Sequence, residues 1–136
     1  MNRKTNEAGE VTGVDISGSK IGGPVGDATV IIPDPMGATG GSMVEALRRY
    51  RDEIPGTARR LIAVHMIVTP EYLRRVTAEI PEAQIYAIRL DRGLSPADVL
   101  QLRPGAAWDK ERGLNNKQYI VPGGGGFGEL INNAWI

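Results

Sequence analysis

The nine residues Asp34-Pro35-Met36-Gly37-Ala38-Thr39-Gly40-Gly41-Ser42 bring a carboxylate, two hydroxyls and three glycines into one short run. They lie between a β-branched stretch, Ala28–Pro33, and an amphipathic one, Ser42–Glu53. A Gly-rich loop that opens a helix presents unpaired backbone N–H groups and the positive end of the helix dipole, which together hold a phosphate. Gly40 and Gly41 let the main chain wrap an anion with no Cβ in the way. Thr39 and Ser42 add hydroxyl donors. Asp34, at the strand tip, is placed to accept from sugar hydroxyls or to approach a phosphate-bound cation. The loop lacks the Lys of a Walker A sequence, which removes nucleoside triphosphatase chemistry. The plain alternative is an ordinary capped helix after a Gly turn. The Asp, Thr and Ser around the glycines favour the phosphate site.

A second run, Tyr119-Ile120-Val121-Pro122-Gly123-Gly124-Gly125-Gly126-Phe127-Gly128, formally contains Gly-x-Gly-x-x-Gly at Gly123, Gly125 and Gly128. A dinucleotide fold is excluded, because the eight residues after Gly128 are too few for the helix and strand it requires. Two readings stay open. The run is either a flexible loop, or a pocket wall whose backbone groups read the edge of a flat polar ligand, with Tyr119 and Phe127 against its face.

Composition narrows the classes. The chain has 136 residues, the length of one domain. Lys plus Arg is 16 and Asp plus Glu is 16, so no basic excess points to nucleic acid or a membrane surface. With no Cys and one His, disulfides, thiolate zinc sites, a Cys nucleophile and a Ser-His-Asp protease drop out. There is no signal peptide and no apolar run long enough to span a bilayer, so a cytoplasmic protein is expected.

The elements that must position these residues alternate. Residues 1–27 read as loop with one or two weak strands. Ala28–Pro33, Arg60–Val68 and Gln84–Leu90 read as buried strands, and Lys117–Val121 as a last one. Asp34–Gly41 reads as a turn. A helix is expected over Ser42–Glu53, with capping-box spacing at Ser42 and Glu45. Another should open at Thr69-Pro70 and run to about Glu79. A third should run from Ser95 to about Leu102. This order predicts an α/β fold with a mainly parallel central sheet covered on both faces. His65, in mid-strand, reads as a core histidine. Arg48, Arg49, Arg51, Arg59, Arg60, Arg74 and Arg75 read as solvated faces. Asp91 sits at a strand tip as a turn residue or a supporting partner of the site. Trp108 and Trp135 are candidates for a partner surface, and Met36 and Met43 for packing.

The two motifs together resemble the uracil phosphoribosyltransferase family of type I phosphoribosyltransferases. Asp34–Ser42 matches the family's phosphoribosyl pyrophosphate motif except at Gly37, where a Leu is usual. Tyr119–Gly123 match its closing motif. Between them, Ile85–Leu94 resembles the strand and Asp-containing turn before that closing loop. Arg112-Gly113-Leu114-Asn115 repeats the turn, which suggests an insertion of about 95–111 in a single domain. The resemblance implies a three-layer, type I phosphoribosyltransferase-like core truncated at the N-terminus. It implies transfer of phosphoribosyl from phosphoribosyl pyrophosphate to uracil, giving UMP and pyrophosphate, with Mg2+ carried by the donor. Ala38, Thr39, Gly40, Gly41 and Ser42 would hold the 5′-phosphate. Asp34, Pro35, Met36 and Gly37 would face the ribose and donor. Tyr119, Ile120, Gly125, Gly126 and Phe127 would bind the base, with no protein-bound metal. Gly126 stands where the family carries an Asp. Thr5 stands near a family Arg, and Arg3 lies two residues away. A homo-oligomer, or a partner supplying the missing N-terminal part, is expected. The competing expectation is a non-catalytic nucleotide-binding or regulatory module built on the same fold.

Overall fold

The computed structural model describes residues 2–5, 11–15, 23–121 and 123. Two short strands, β1 (Asn2–Thr5) and β2 (Val11–Asp15), pair antiparallel as a separate ribbon. The main sheet follows from three apolar runs. β3 (Thr29–Pro33) and β6 (Gln84–Leu90) flank β5 (Arg60–Val68), and both pair with it in parallel. The expected turn at 34–41 contains a two-residue strand, β4 (Met36–Gly37), which pairs with Ile67 and Val68. β6 occupies the other edge of β5, so β4 continues β3 past a break at Asp34-Pro35. Proline has no N–H to give a ladder, which is why pairing lapses there.

Helix α1 (Gly41–Arg48) covers only the first part of the expected 42–53. The chain then widens into a π-helical turn over Arg49–Glu53, closed by the Ile54 amide on the Arg49 carbonyl at 3.2 Å. The wider turn brings both Tyr50 and Ile54 against the core. The capping box does not form. The N-cap is Gly40, in the left-handed region at φ 78°, with no side-chain cap. Ser42 is already the second helical residue, past the position from which a hydroxyl caps.

Helix α2 (Pro70–Glu79) starts where the Thr-Pro pair places it, with Thr69 as N-cap. The third expected helix shrinks to α3 (Ala97–Leu100). The last expected strand is a turn instead. Leu114 and Ile120 form an isolated antiparallel bridge, and the Asn115 carboxamide oxygen accepts from the Lys117 and Tyr119 amides. A side chain that satisfies its own turn competes with strand pairing.

The strands lie in the spatial order β3, β5, β6, each step taken in the same direction. Right-handed crossovers then put α1 and α2 on one face. Met43, Val44 and Leu47 from α1 meet Tyr72, Val76 and Ile80 from α2 over Val30, Leu61, Ala63 and Val68. The α/β class and the parallel sheet are as expected. Cover on both faces is not: among the described residues, no helix lies on the second face. There Ile31, Met66, Tyr86 and Ile88 are 58–84% exposed, and Val64, paired with Tyr86, is 39% exposed. An apolar row of this size promotes association. We expect Ile88→Lys and Met66→Lys to lower binding of an apolar-sensitive dye and self-association in sedimentation, with the melting temperature unchanged.

Candidate functional site

The cleft at the carboxyl ends of β3 and β5 is lined by Asp34, Met36, Gly37, Ala38, Thr39, Gly40, Ser42, Met43 and Tyr72. This is where an open parallel sheet places its ligands. Most of the residues expected at the phosphate and ribose therefore come together in one depression. Pro35 is exposed beside it, its carbonyl accepting from the Met66 and Ile67 amides. Gly41 is buried as the first residue of α1.

Three of the loop's carbonyls are occupied. The Gly37 carbonyl accepts from the Thr69 amide at 3.0 Å, and the Gly40 carbonyl from the Val44 amide at 2.9 Å. The Ala38 carbonyl accepts from the Thr69 hydroxyl at 2.6 Å. Its amides are not. Among the described residues, no acceptor takes the N–H groups of Ala38, Thr39, Gly40, Gly41, Ser42 or Met43. Six adjacent donors at the positive end of a helix form a cradle suited to an anion. Asp34 turns one carboxylate oxygen back to the Met36 amide at 3.1 Å, which shapes the strand tip.

Beneath the loop lies a buried polar chain. His65 is 3% exposed. Its Nδ1 is 2.5 Å from the Asp34 carbonyl oxygen, and its Nε2 is 2.6 Å from the Tyr72 hydroxyl. A carbonyl can only accept, so Nδ1 carries the proton and the Tyr72 hydroxyl donates to Nε2. Desolvation holds the His65 pKa below its usual 6.5, against the pull of the Asp34 backbone bond and charge. Burial pushes the Tyr72 phenol up, with the Asp34 charge adding to it. Both groups are neutral at pH 7. A core histidine was the expected reading; its place under the site was not legible. Gly37 also finds its reason here, since a Cβ on it would come 2.8 Å from the Tyr72 ring.

The second motif begins beside the first. Gly113 packs on Thr69 and on the Asp91 main chain, and the Val121 amide donates to the Gly113 carbonyl at 3.0 Å. Asp91 is 1% exposed, with one oxygen accepting from the Gly93 amide at 3.1 Å. Its other oxygen has no hydrogen-bond partner and lies against Gly123, where a Cβ would collide with it. Ile120 is fully buried, and Tyr119 is half-buried. Gly125, Gly126, Phe127 and Trp135 lie outside the described residues.

Sequence reasoning missed Glu71, Arg92 and Glu111. The Glu71 carboxylate accepts from the Gly113 amide at 3.1 Å, so the first turn of α2 holds the start of this segment. Arg92 donates to the Val99, Leu100 and Leu102 carbonyls and pairs with buried Glu111 at 3.3 Å. It clamps the 94–111 excursion, which leaves and returns at the Gly93–Arg112 bridge. Arg74, read as solvated, lies over the Trp108 ring and donates to the Trp108 and Glu111 carbonyls. Trp108 thus has a partner within the chain.

The chain is similar to known proteins. The family model for uracil phosphoribosyltransferase matches residues 15–107. The uracil phosphoribosyltransferase of Pyrobaculum islandicum is 35% identical over 127 residues, 93% of this chain and 49% of that protein. That of Thermococcus sibiricus is 33% identical over 111 residues, 79% and 37%. The solved AQ2163 protein from Aquifex aeolicus superposes with a TM-score of 0.60 at 30% identity, covering 94% of this chain and 49% of that one. The chain belongs to the uracil phosphoribosyltransferase family. It spans at most about half the length of these relatives.

Two outcomes follow from the site's supports. Thr69 both caps α2, accepting from the Tyr72 amide at 3.0 Å, and donates to the loop. Thr69→Ala should cost about 2 kcal/mol in urea unfolding, and Thr69→Ser much less. His65 has a lowered folded pKa, so the unfolded state takes up its proton first as pH falls. Stability should therefore decline as pH drops below about 6.5. His65→Gln should remove that decline between pH 7 and 5.5, measured by chemical denaturation at each pH.

Proposed function

We propose that this chain supplies the phosphoribosyl-binding and uracil-binding part of a uracil phosphoribosyltransferase. The observation that carries the reading is the run of unengaged amides over Ala38–Met43, at a strand tip and a helix start, within the span matched by the family model. In this reading the amides of Ala38–Ser42 and the Thr39 and Ser42 hydroxyls hold the 5′-phosphate. Asp34 accepts from the ribose hydroxyls, beside Pro35, Met36 and Gly37. Backbone groups near Tyr119 and Ile120, with Gly125, Gly126 and Phe127, meet the uracil edge. The ring nitrogen of uracil bonds to C1′ of the donor as the C1′–O bond to pyrophosphate breaks, and the ring N–H proton is lost.

Such a centre develops oxocarbenium character, so catalysis rests on positioning and charge stabilisation rather than on a protein nucleophile. Mg2+ enters with the diphosphate of the donor. Among the described residues, no group of three His, Cys, Asp or Glu could hold a metal. Among the described residues, no Lys or Arg lines the cleft. A bound phosphate monoester therefore relies on the amides, and the diphosphate on its own Mg2+.

The test incubates the chain with phosphoribosyl pyrophosphate, Mg2+ and labelled uracil. Labelled UMP is the expected product. Thr39→Val should weaken UMP binding about tenfold, and Gly40→Val, strained at φ 78° against Val76 and the Tyr72 main chain, should abolish it. UMP binding without turnover would move the chain to the regulatory-module reading. Absence of both would refute the site.

A further inference from the structure

Three separate points of the 34–40 loop depend on one residue, two by direct contact and one through His65. Tyr72 presents its ring edge to Gly37, where a Cβ would lie 2.8 and 2.9 Å from two ring carbons. Its main-chain carbonyl oxygen would be 3.3 Å from a Cβ on Gly40, so the left-handed turn that starts α1 rests on it. Its hydroxyl reaches Asp34 through His65, by bonds of 2.6 and 2.5 Å. The His65 and Tyr72 rings meet edge to face, with centroids 4.7 Å apart, which fixes the imidazole plane. Tyr72 is 1% exposed, so none of these contacts competes with water.

We propose that Tyr72, acting through its ring on Gly37 and through His65 on Asp34, is the positioning residue that sets the shape of the anion-binding loop. The proposal rests on the reading of that loop as a phosphate site. Its physical content is a two-sided constraint. From below, the phenol ring fixes how deep Gly37 sits, and with it the direction of the Ala38 and Thr39 amides. At the entry, the His65 proton on the Asp34 carbonyl holds the strand tip, so the Asp34 carboxylate leaves the sheet at one angle. Glycine at 37 and tyrosine at 72 are then a matched pair, because either one alone leaves a collision or a hole. The Thr69 bonds to Gly37 and Ala38 hold the same loop from the same helix turn, but they do not reach Asp34.

The test uses the full chain, with UMP as probe and three readouts: UMP affinity by calorimetry, the His65 tautomer by imidazole 15N shifts, and folding by circular dichroism. Wild type should show a single Nδ1–H tautomer. Tyr72→Phe keeps the ring and removes only the hydroxyl. It should stay folded, mix the His65 tautomers and raise the UMP dissociation constant about tenfold, the effect of one lost buried hydrogen bond. Gly37→Ala should weaken both folding and binding, and adding Tyr72→Leu should restore folding and bring binding back to about the tenfold deficit of Tyr72→Phe, since the hydroxyl is still missing. A folded Tyr72→Phe with wild-type affinity and tautomer would overturn the proposal, as would failure of Tyr72→Leu to relieve Gly37→Ala. If wild type binds no UMP, the phosphate reading has failed by itself. The positioning claim is then judged on backbone amide shifts of 36–42, which must move in Tyr72→Phe; unmoved shifts would overturn it.

Discussion

The first turn of α2 is the junction on which the site depends. A loop that offers amides to a ligand must have its carbonyls satisfied elsewhere, or the backbone would carry two unmet costs at once. Thr69 meets that requirement, donating its amide to the Gly37 carbonyl and its hydroxyl to the Ala38 carbonyl. Two residues on, Glu71 takes the Gly113 amide from the other side, and Tyr72 supports Gly37 and Gly40 from below. One helical turn therefore holds both the 37–40 loop and the segment that leads to Gly123. Its own start is secured by Pro70 at the first helical position and by Thr69 as cap.

Neutrality under the loop is part of the same design. His65 and Tyr72 are the ionisable side chains of the polar chain closest below the amides, and burial shifts each toward its uncharged form. A charged imidazole there would lose its hydration, a cost that outweighs the attraction of the nearby Asp34 charge. Among the described residues, Asp34 is the one carboxylate lining the cleft, and main-chain dipoles supply the rest of the field there. A site of this kind suits a phosphate monoester, whose oxygens match an array of N–H donors better than they match one flexible cation.

The bare face of the sheet follows from topology rather than from any local defect. Strands taken in the order β3, β5, β6 leave both crossovers on one side, and the apolar residues at alternate positions still face outward on the other. Family members extend over roughly twice the length matched here, and the chain's own described residues fill one helical layer.

The local chemistry was legible from the amino-acid order alone. Residues 34–42 suggested a loop between strand and helix because glycines, hydroxyls and a carboxylate were contiguous, and most of them do line one cleft; the β5 and β6 bounds matched their apolar runs residue for residue. Two local outcomes went otherwise: the Asn115 side chain made a turn of an expected strand, and the left-handed backbone at Gly40 took the N-cap place from Ser42. What only tertiary structure decided was long-range. His65 lies 31 positions from Asp34, and Glu71 lies 42 from Gly113. No pattern of spacing joins such pairs, because parallel pairing of β3 on β5 and the docking of α2 create their proximity. Likewise, Gly37 has a meaning only beside the Tyr72 ring, since the space a residue lacks is set by its neighbours in the fold.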